Sequence, residues 1–199
     1  MSHSSSPGYL DEDVRDPGRK REKSSSAVRG LIEWVLAIGL AVVLFFVLRM
    51  FLFRVAHVSG DSMMPTLENG DMLILNRAAI VFGEPRTGDI VAFPYPNNPY
   101  EHHIKRVIAV YGDVVDLANG RFIVNGNYLN DNFSHEEIWV VGDTVFPVTV
   151  GQGRVFVLGD NRNGSKDSRY ASVGTIANQD IIGRVLVRVW PIDTLGQVD

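Results

Sequence analysis

Between Trp34 and Leu48 the chain reads Trp34-Val35-Leu36-Ala37-Ile38-Gly39-Leu40-Ala41-Val42-Val43-Leu44-Phe45-Phe46-Val47-Leu48. This run is apolar on every face rather than along one stripe, which sets it apart from a helix packed on a soluble core. Extended to Leu31 and Phe53, it reaches the ~20 residues that a membrane-crossing helix needs. Glu33 and Arg49 fall near its ends, where long charged side chains reach the interface. A cleaved export signal has a shorter apolar region and ends at small residues. Here Phe51-Leu52-Phe53-Arg54 is bulky, so residues 31–53 read as an uncleaved transmembrane helix.

On its N-terminal side the composition inverts. Residues 1–30 hold Ser4-Ser5-Ser6-Pro7-Gly8, Asp11-Glu12-Asp13, Arg19-Lys20-Arg21 and Ser24-Ser25-Ser26. So few apolar groups cannot offset the entropy of ordering, and a disordered tail is expected. Arg15, Arg19, Lys20, Arg21, Lys23 and Arg29 precede the span, against Arg49 and Arg54 at its far end. That excess predicts a single-pass protein with a cytoplasmic N-terminus and residues 54–199 on the extracytoplasmic side of the cell membrane.

Beyond Arg54 the pattern changes from one long run to many short ones. Met72–Leu75, Ile90–Phe93, Ile104–Val110, Phe122–Val124, Ile138–Val141, Arg154–Leu158 and Ile181–Trp190 are β-rich, with Gly-Asp, Asn-Gly and Pro-containing turns between them. Asn119-Gly120 and Asn125-Gly126 are hairpin signals. The spacing predicts an all-β domain over residues 54–199, so the chain as a whole is mostly β behind one N-terminal helix. No internal repeat, helix-turn-helix or phosphate-cradling glycine loop stands out.

Up to Arg54 the chain carries eight Lys/Arg against six Asp/Glu, and beyond it eleven against seventeen. An acidic main domain does not suit nucleic acid, whose phosphates select basic surfaces. The chain has no cysteine, which excludes disulfides, thiolate metal sites and a catalytic thiol. His102 and His103 are neighbours without a third ligand candidate nearby, so no metal or other cofactor is expected.

Three clusters carry chemistry. Val58-Ser59-Gly60-Asp61-Ser62-Met63-Met64-Pro65-Thr66-Leu67 runs from extended chain into a turn. Gly60 permits close approach of a substrate backbone, the amide of Ser62 can face an oxyanion, and Pro65 suits the start of a short helical turn. A serine in such a turn is, by itself, usually only a turn serine. In His103-Ile104-Lys105-Arg106-Val107-Ile108-Ala109-Val110 both faces are partly apolar, as in a strand covered on two sides. Lys105 serves as a base only if burial brings its pKa from ~10.4 toward neutrality, at a cost of about 4 kcal/mol. An exposed edge-strand lysine is the plainer alternative. The third cluster, Gly159-Asp160-Asn161-Arg162-Asn163-Gly164-Ser165-Lys166-Asp167-Ser168-Arg169-Tyr170, follows an apolar strand, and Asp167 and Arg169 can pair within it. Alone it would read as a surface loop.

As a set, the three clusters resemble bacterial type I signal peptidases. Ser62 to Leu67 is similar to the family's nucleophile box and Gly70-Asp71-Met72-Leu73 to the strand box after it. Gly88-Asp89-Ile90-Val91 with Ile104-Lys105-Arg106-Val107 is similar to the lysine box, and Gly159 to Arg169 to the last. The boxes stand in family order from about Ala27 to Trp190. The resemblance implies a signal-peptidase-type catalytic β domain in which Ser62 attacks the preprotein and Lys105 is general base. The Ser62 amide would form part of the oxyanion hole, with Asp160 supporting the site. It further implies that the Ser165 hydroxyl orients the lysine amine and that Asp167 and Arg169 form a structural ion pair. Val58, Met63 and Ile104 would line shallow pockets for small residues at positions −1 and −3. The implied partners are secretory preproteins and the lipid bilayer.

The chain departs from the pattern at Gly60, where Gram-negative members have a serine as second oxyanion donor. With the single anchor, this resembles the Gram-positive form. Tyr111 replaces a common proline before Gly112-Asp113. Eukaryotic and archaeal relatives carry histidine at the position of Lys105. Self-cleaving repressors share the Ser/Lys pair but have a DNA-binding domain where this chain has its apolar run. A silent peptide-binding module would be free to lose Ser62 or Lys105. An apolar surface near residue 55, next to the anchor, is expected to meet the interface.

Overall fold

The computed structural model describes residues 19–130, 133–134 and 137–198, so the expectation for residues 1–18 lies outside the described residues. The chain divides into two compact units, Met1–Val47 and Leu48–Asp199. The first holds most of helix α1 (Arg19–Leu52). Residues 19–30, expected in the disordered tail, are helical, and the helix starts ahead of the Leu31 boundary because each residue added to an existing helix gains a backbone bond without new nucleation. Trp34, Leu40, Phe45 and Phe46 are all exposed, at 60–70%, so its apolar surface is open all round.

The second unit is built of short strands. In chain order they are β1 (Phe53–His57), β2 (Met72–Asn76), β3 (Ile90–Tyr95), β4 (Asn98–Ala109), β5 (Val114–Ala118) and β6 (Arg121–Val124). They continue as β7 (Asn127–Tyr128), β8 (Val148–Thr149), β9 (Arg154–Leu158), β10 (Ile176–Ala177), β11 (Gly183–Trp190) and β12 (Gly196–Gln197). Among the described residues they make two sheets. The larger runs β1-β2-β11-β3-β4-β9-β10, with β12 on β11, and the smaller runs β7-β6-β5-β8. Every pairing is antiparallel, so β11, late in the sequence, is inserted between β2 and β3.

Both Asn-Gly signals form hairpins: Asn119 and Gly120 join β5 to β6, and Asn125 and Gly126 join β6 to β7. All four have positive φ, from 53° to 80°, as two-residue turns of type I′ require. The segment Ile138–Val141 is not a strand. The Oδ1 of Asn163 accepts from the amides of Trp139 and Val140, and Arg169 donates to the Val140 carbonyl. Side chains thus take the backbone groups that a ladder would have used.

Three apolar clusters fill the unit. In the first, Leu73 and Leu75 of β2 and Ile90 and Ala92 of β3 meet Val58, Met63 and Leu67 from the segment after β1. The turn that carries Ser62 is therefore seated on the core by its own neighbours. On the outer face, Phe53, Val55, Leu186, Trp190, Ile192 and Leu195 are exposed. Val55 lies across Ile74 from Val187 in the register, so the surface around residue 55 is apolar, as the sequence leads one to expect.

Candidate active site

Ser62 leaves β1 through a turn held from both sides. The Val58 amide donates to the Asp71 carbonyl and the Gly70 amide returns to Val58. Met63 and Leu67, 1% and 0% exposed, plug the core. The Leu67 amide donates to the Met63 carbonyl, closing a single turn around Pro65 rather than starting a helix. Across the site, Asn161 pins the turn: its amide donates to the Ser62 carbonyl at 3.1 Å and its side-chain nitrogen to the Asp61 carbonyl at 3.1 Å. The Ser62 amide has no hydrogen-bond partner among the described residues, which leaves it available to an oxyanion. Gly60 takes a φ of 90° and spends its amide on Asn69 Oδ1, so no donor comes from there.

Lys105 comes from the middle of β4, where its backbone lies opposite Val91. The residue is 3% exposed. Its Nζ donates to Ser62 Oγ at 2.7 Å and to the Ile104 carbonyl at 2.9 Å. Burial removes water from the ammonium and brings its pKa down from 10.5 to about 8; Asp167 and Asp160 oppose this through space, and Arg169 assists it. An amine so held is neutral in a usable fraction near neutral pH and sits within proton-transfer reach of the hydroxyl.

Two buried ion pairs frame this contact. Arg106 grips Asp160 through Nε and Nη2 at 2.9 and 2.8 Å, with both residues 1% exposed. Thr66 donates to the same carboxylate at 2.6 Å, tying the nucleophile segment to the pair. Arg169 holds Asp167 by two bonds of 2.8 and 2.9 Å, and Asp167 also accepts from the Gly159 amide. Each carboxylate is neutralised by its own guanidinium, so neither forms an ion pair with the lysine amine. Ser165 is brought to the site and buried, and its hydroxyl makes no hydrogen bond among the described residues; the lysine amine bonds to Ser62 Oγ and the Ile104 carbonyl.

Gly159 stands at the tightest point. A Cβ there would lie 2.3 Å from both the Ser62 carbonyl and Ser165 Oγ. Gly159→Ala is therefore expected to push the nucleophile turn aside and lower kcat by about a hundredfold, since a displacement of ~1 Å has that effect. Steady-state kinetics beside a thermal melt would check this, and an unchanged kcat would overturn it.

Ser62 and Lys105 open into a groove of about 510 Å³ whose walls include Val58, Met63, Tyr95, His103, Ile104 and Lys166. His103 is largely buried, stacks on Tyr95 with ring centroids 4.7 Å apart, and meets Glu101 Oε1 through Nε2 at 2.8 Å. Burial lowers its pKa, with Glu101 working the other way. A second hollow of about 210 Å³ follows along β1 and β4, lined among others by Ala56, Ala92, Ile104 and Ile182. Val58, Met63 and Ile104 thus line the groove beside Ser62. That reading missed Asn161, Arg106 and Thr66 as site residues. Asn161 and Arg106 each adjoin a residue it singled out, but their partners lie far away in the chain.

The family model described as "Signal peptidase, peptidase S26" matches residues 31–190. A protein named Signal peptidase I from Leptolyngbya laminosa is 36% identical over 193 residues, covering 92% of this chain and 91% of its own. Signal peptidase I P from Bacillus subtilis subsp. natto is 34% identical over 184 residues, covering 88% and 95%. A crystal structure of a signal peptidase I from Enterococcus faecalis aligns at 29% identity with a TM-score of 0.42, covering 51% of this chain and 96% of that one.

Proposed function

The chain belongs to the signal peptidase family, peptidase S26, and we propose that it cleaves signal peptides with Ser62 as nucleophile and Lys105 as general base. The observation that carries this assignment is the 2.7 Å contact between Ser62 Oγ and a buried amine whose pKa is brought to about 8. Ser62 Oγ attacks the carbonyl carbon of residue −1 and passes its proton to Lys105 Nζ. The oxyanion accepts from the Ser62 amide, which has no other partner among the described residues. Collapse breaks the peptide bond, and the lysine ammonium gives its proton to the departing amine of the mature chain. Lys105, neutral again, then takes a proton from the water that hydrolyses the acyl-enzyme.

Small residues at −1 and −3 suit the groove. Among the described residues, β1 pairs only with β2, and the first half of β4 only with β3, so each offers a free edge to an extended peptide. In such a peptide side chains −1 and −3 share a face about 7 Å apart. The first would meet Val58, Met63 and Ile104 beside Ser62, the second the hollow at Ala56, Ala92 and Ile182. Residues 31–53 anchor the enzyme in the cell membrane, with a cytoplasmic tail before them and the catalytic domain of residues 54–199 outside. A preprotein's own apolar segment lies in the same bilayer, which raises the local concentration of substrate.

Detergent-solubilised protein is expected to cut a preprotein whose signal ends in Ala-x-Ala once, directly after the final alanine. N-terminal sequencing of the product reads the position. A folded protein that makes no cut would overturn the assignment in favour of a silent peptide-binding module. The kcat/KM is expected to rise with pH through an apparent pKa near 8, because the protonated amine that prevails below it cannot accept the serine proton. A profile flat from pH 6 to 9 would remove Lys105 as base.

A further inference from the structure

We propose that Lys166 determines specificity on the far side of the cut, binding an acidic side chain among the first two residues of the mature protein. This inference rests on the peptidase assignment above. Lys166 lies between Ser165 and Asp167, which are both buried, whereas Lys166 itself is exposed. Asp167 is fixed by Arg169 and by the Gly159 amide, so the backbone is held and the intervening side chain projects outward. It projects into the groove that holds Ser62 and Lys105.

The direction of the peptide then decides which substrate residue it meets. Positions −1 to −3 run from Ser62 toward the hollow bounded by β1 and β4, and Lys166 does not line that hollow. Under this proposal, the side chain that reaches Lys166 lies past Ser62, on the leaving group. The surroundings leave this cation unneutralised. Its Nζ stands 5.2 Å from the centroid of the Tyr95 ring and interacts with the Tyr95 hydroxyl, contacts that hold the amine without supplying a carboxylate to pair with it. Glu101, the carboxylate of the groove wall, is engaged with His103. Asp143 acts on Lys166 only through space, and among the described residues no carboxylate forms an ion pair with it. A substrate carboxylate would complete the arrangement.

The test uses full-length solubilised enzyme and Ala-x-Ala preproteins bearing Glu, Gln or Lys at +1, at +2 or at −2. For each enzyme, the kcat/KM ratio of Glu to Lys substrates is measured; being a ratio, it does not depend on the folded fraction. The wild type is expected to prefer Glu over Lys at +1 or +2 by about three- to tenfold at low salt, the size expected of a partly exposed pair, and less at high salt. Lys166→Gln should flatten the preference and Lys166→Glu should invert it. A preference that survives unchanged in Lys166→Glu, no preference in the wild type, or an effect confined to −2 would each overturn the proposal. Wild-type enzyme that cuts none of the substrates would instead remove the peptidase assignment on which it stands.

Discussion

Lys105→Ala and Ser62→Ala are each expected to lower kcat by about ten-thousandfold or more while leaving peptide binding in place. In the proposed mechanism the two groups act as one unit, and serine peptidases lose roughly that factor when either half of such a unit is removed. Neither side chain shapes the hollow at Ala56 and Ala92, so a signal-peptide analogue should bind both variants with similar affinity. Lys105→Arg sharpens the point. A guanidinium keeps the positive charge but cannot give up its proton, so it should be as inactive as the alanine variant. Single-turnover cleavage, read beside equilibrium binding, separates the outcomes. Turnover retained in Lys105→Arg would mean that charge, not proton acceptance, is what position 105 supplies.

The second large effect is on stability. Arg169→Leu strands the Asp167 carboxylate, 0% exposed, with only the amides of Gly159 and Arg169 to satisfy it. Removing one partner of a buried pair costs about 3–5 kcal/mol, a large share of the 5–15 kcal/mol that holds a typical domain together. Denaturant unfolding should show the loss, and Asp167→Asn combined with Arg169→Leu should recover part of it, because no bare charge then remains. A signature at the active site accompanies it. Arg169 helps to lower the pKa of Lys105 and Asp167 raises it. In surviving Arg169→Leu enzyme the activity profile should therefore move to higher pH. A destabilised variant with an unmoved profile would limit the pair to scaffolding.

Ser62 and Lys105, which the structure brings to 2.7 Å, were legible as candidates because their neighbours carry local signs: Gly60 and Pro65 around Ser62, and apolar residues on both faces around Lys105. The Asn-Gly hairpins were legible for the same reason, since a turn is written within a few residues. What sequence concealed was written across long separations. Arg106 reads as an ordinary polar strand position, yet its partner Asp160 is 54 residues away. Ile138–Val141 has the composition of a strand, but Asn163 and Arg169 capture its backbone from another segment. The family resemblance implies that Ser165 orients the lysine amine, whereas among the described residues the hydrogen bonds of that amine go to Ser62 Oγ and the Ile104 carbonyl.

The position of β11 governs timing. It fills the gap between β2 and β3, the strand that carries Val91 opposite Lys105, yet it is made after both Ser62 and Lys105. Until the ribosome has delivered Gly183–Trp190, β2 and β3 have no common neighbour, and the sheet that carries Lys105 is incomplete. A nascent chain thus carries Ser62 and Lys105 through most of its synthesis before that sheet can close. The order of strands in the sheet ties the completion of the Lys105 strand's surroundings to a strand that is made late.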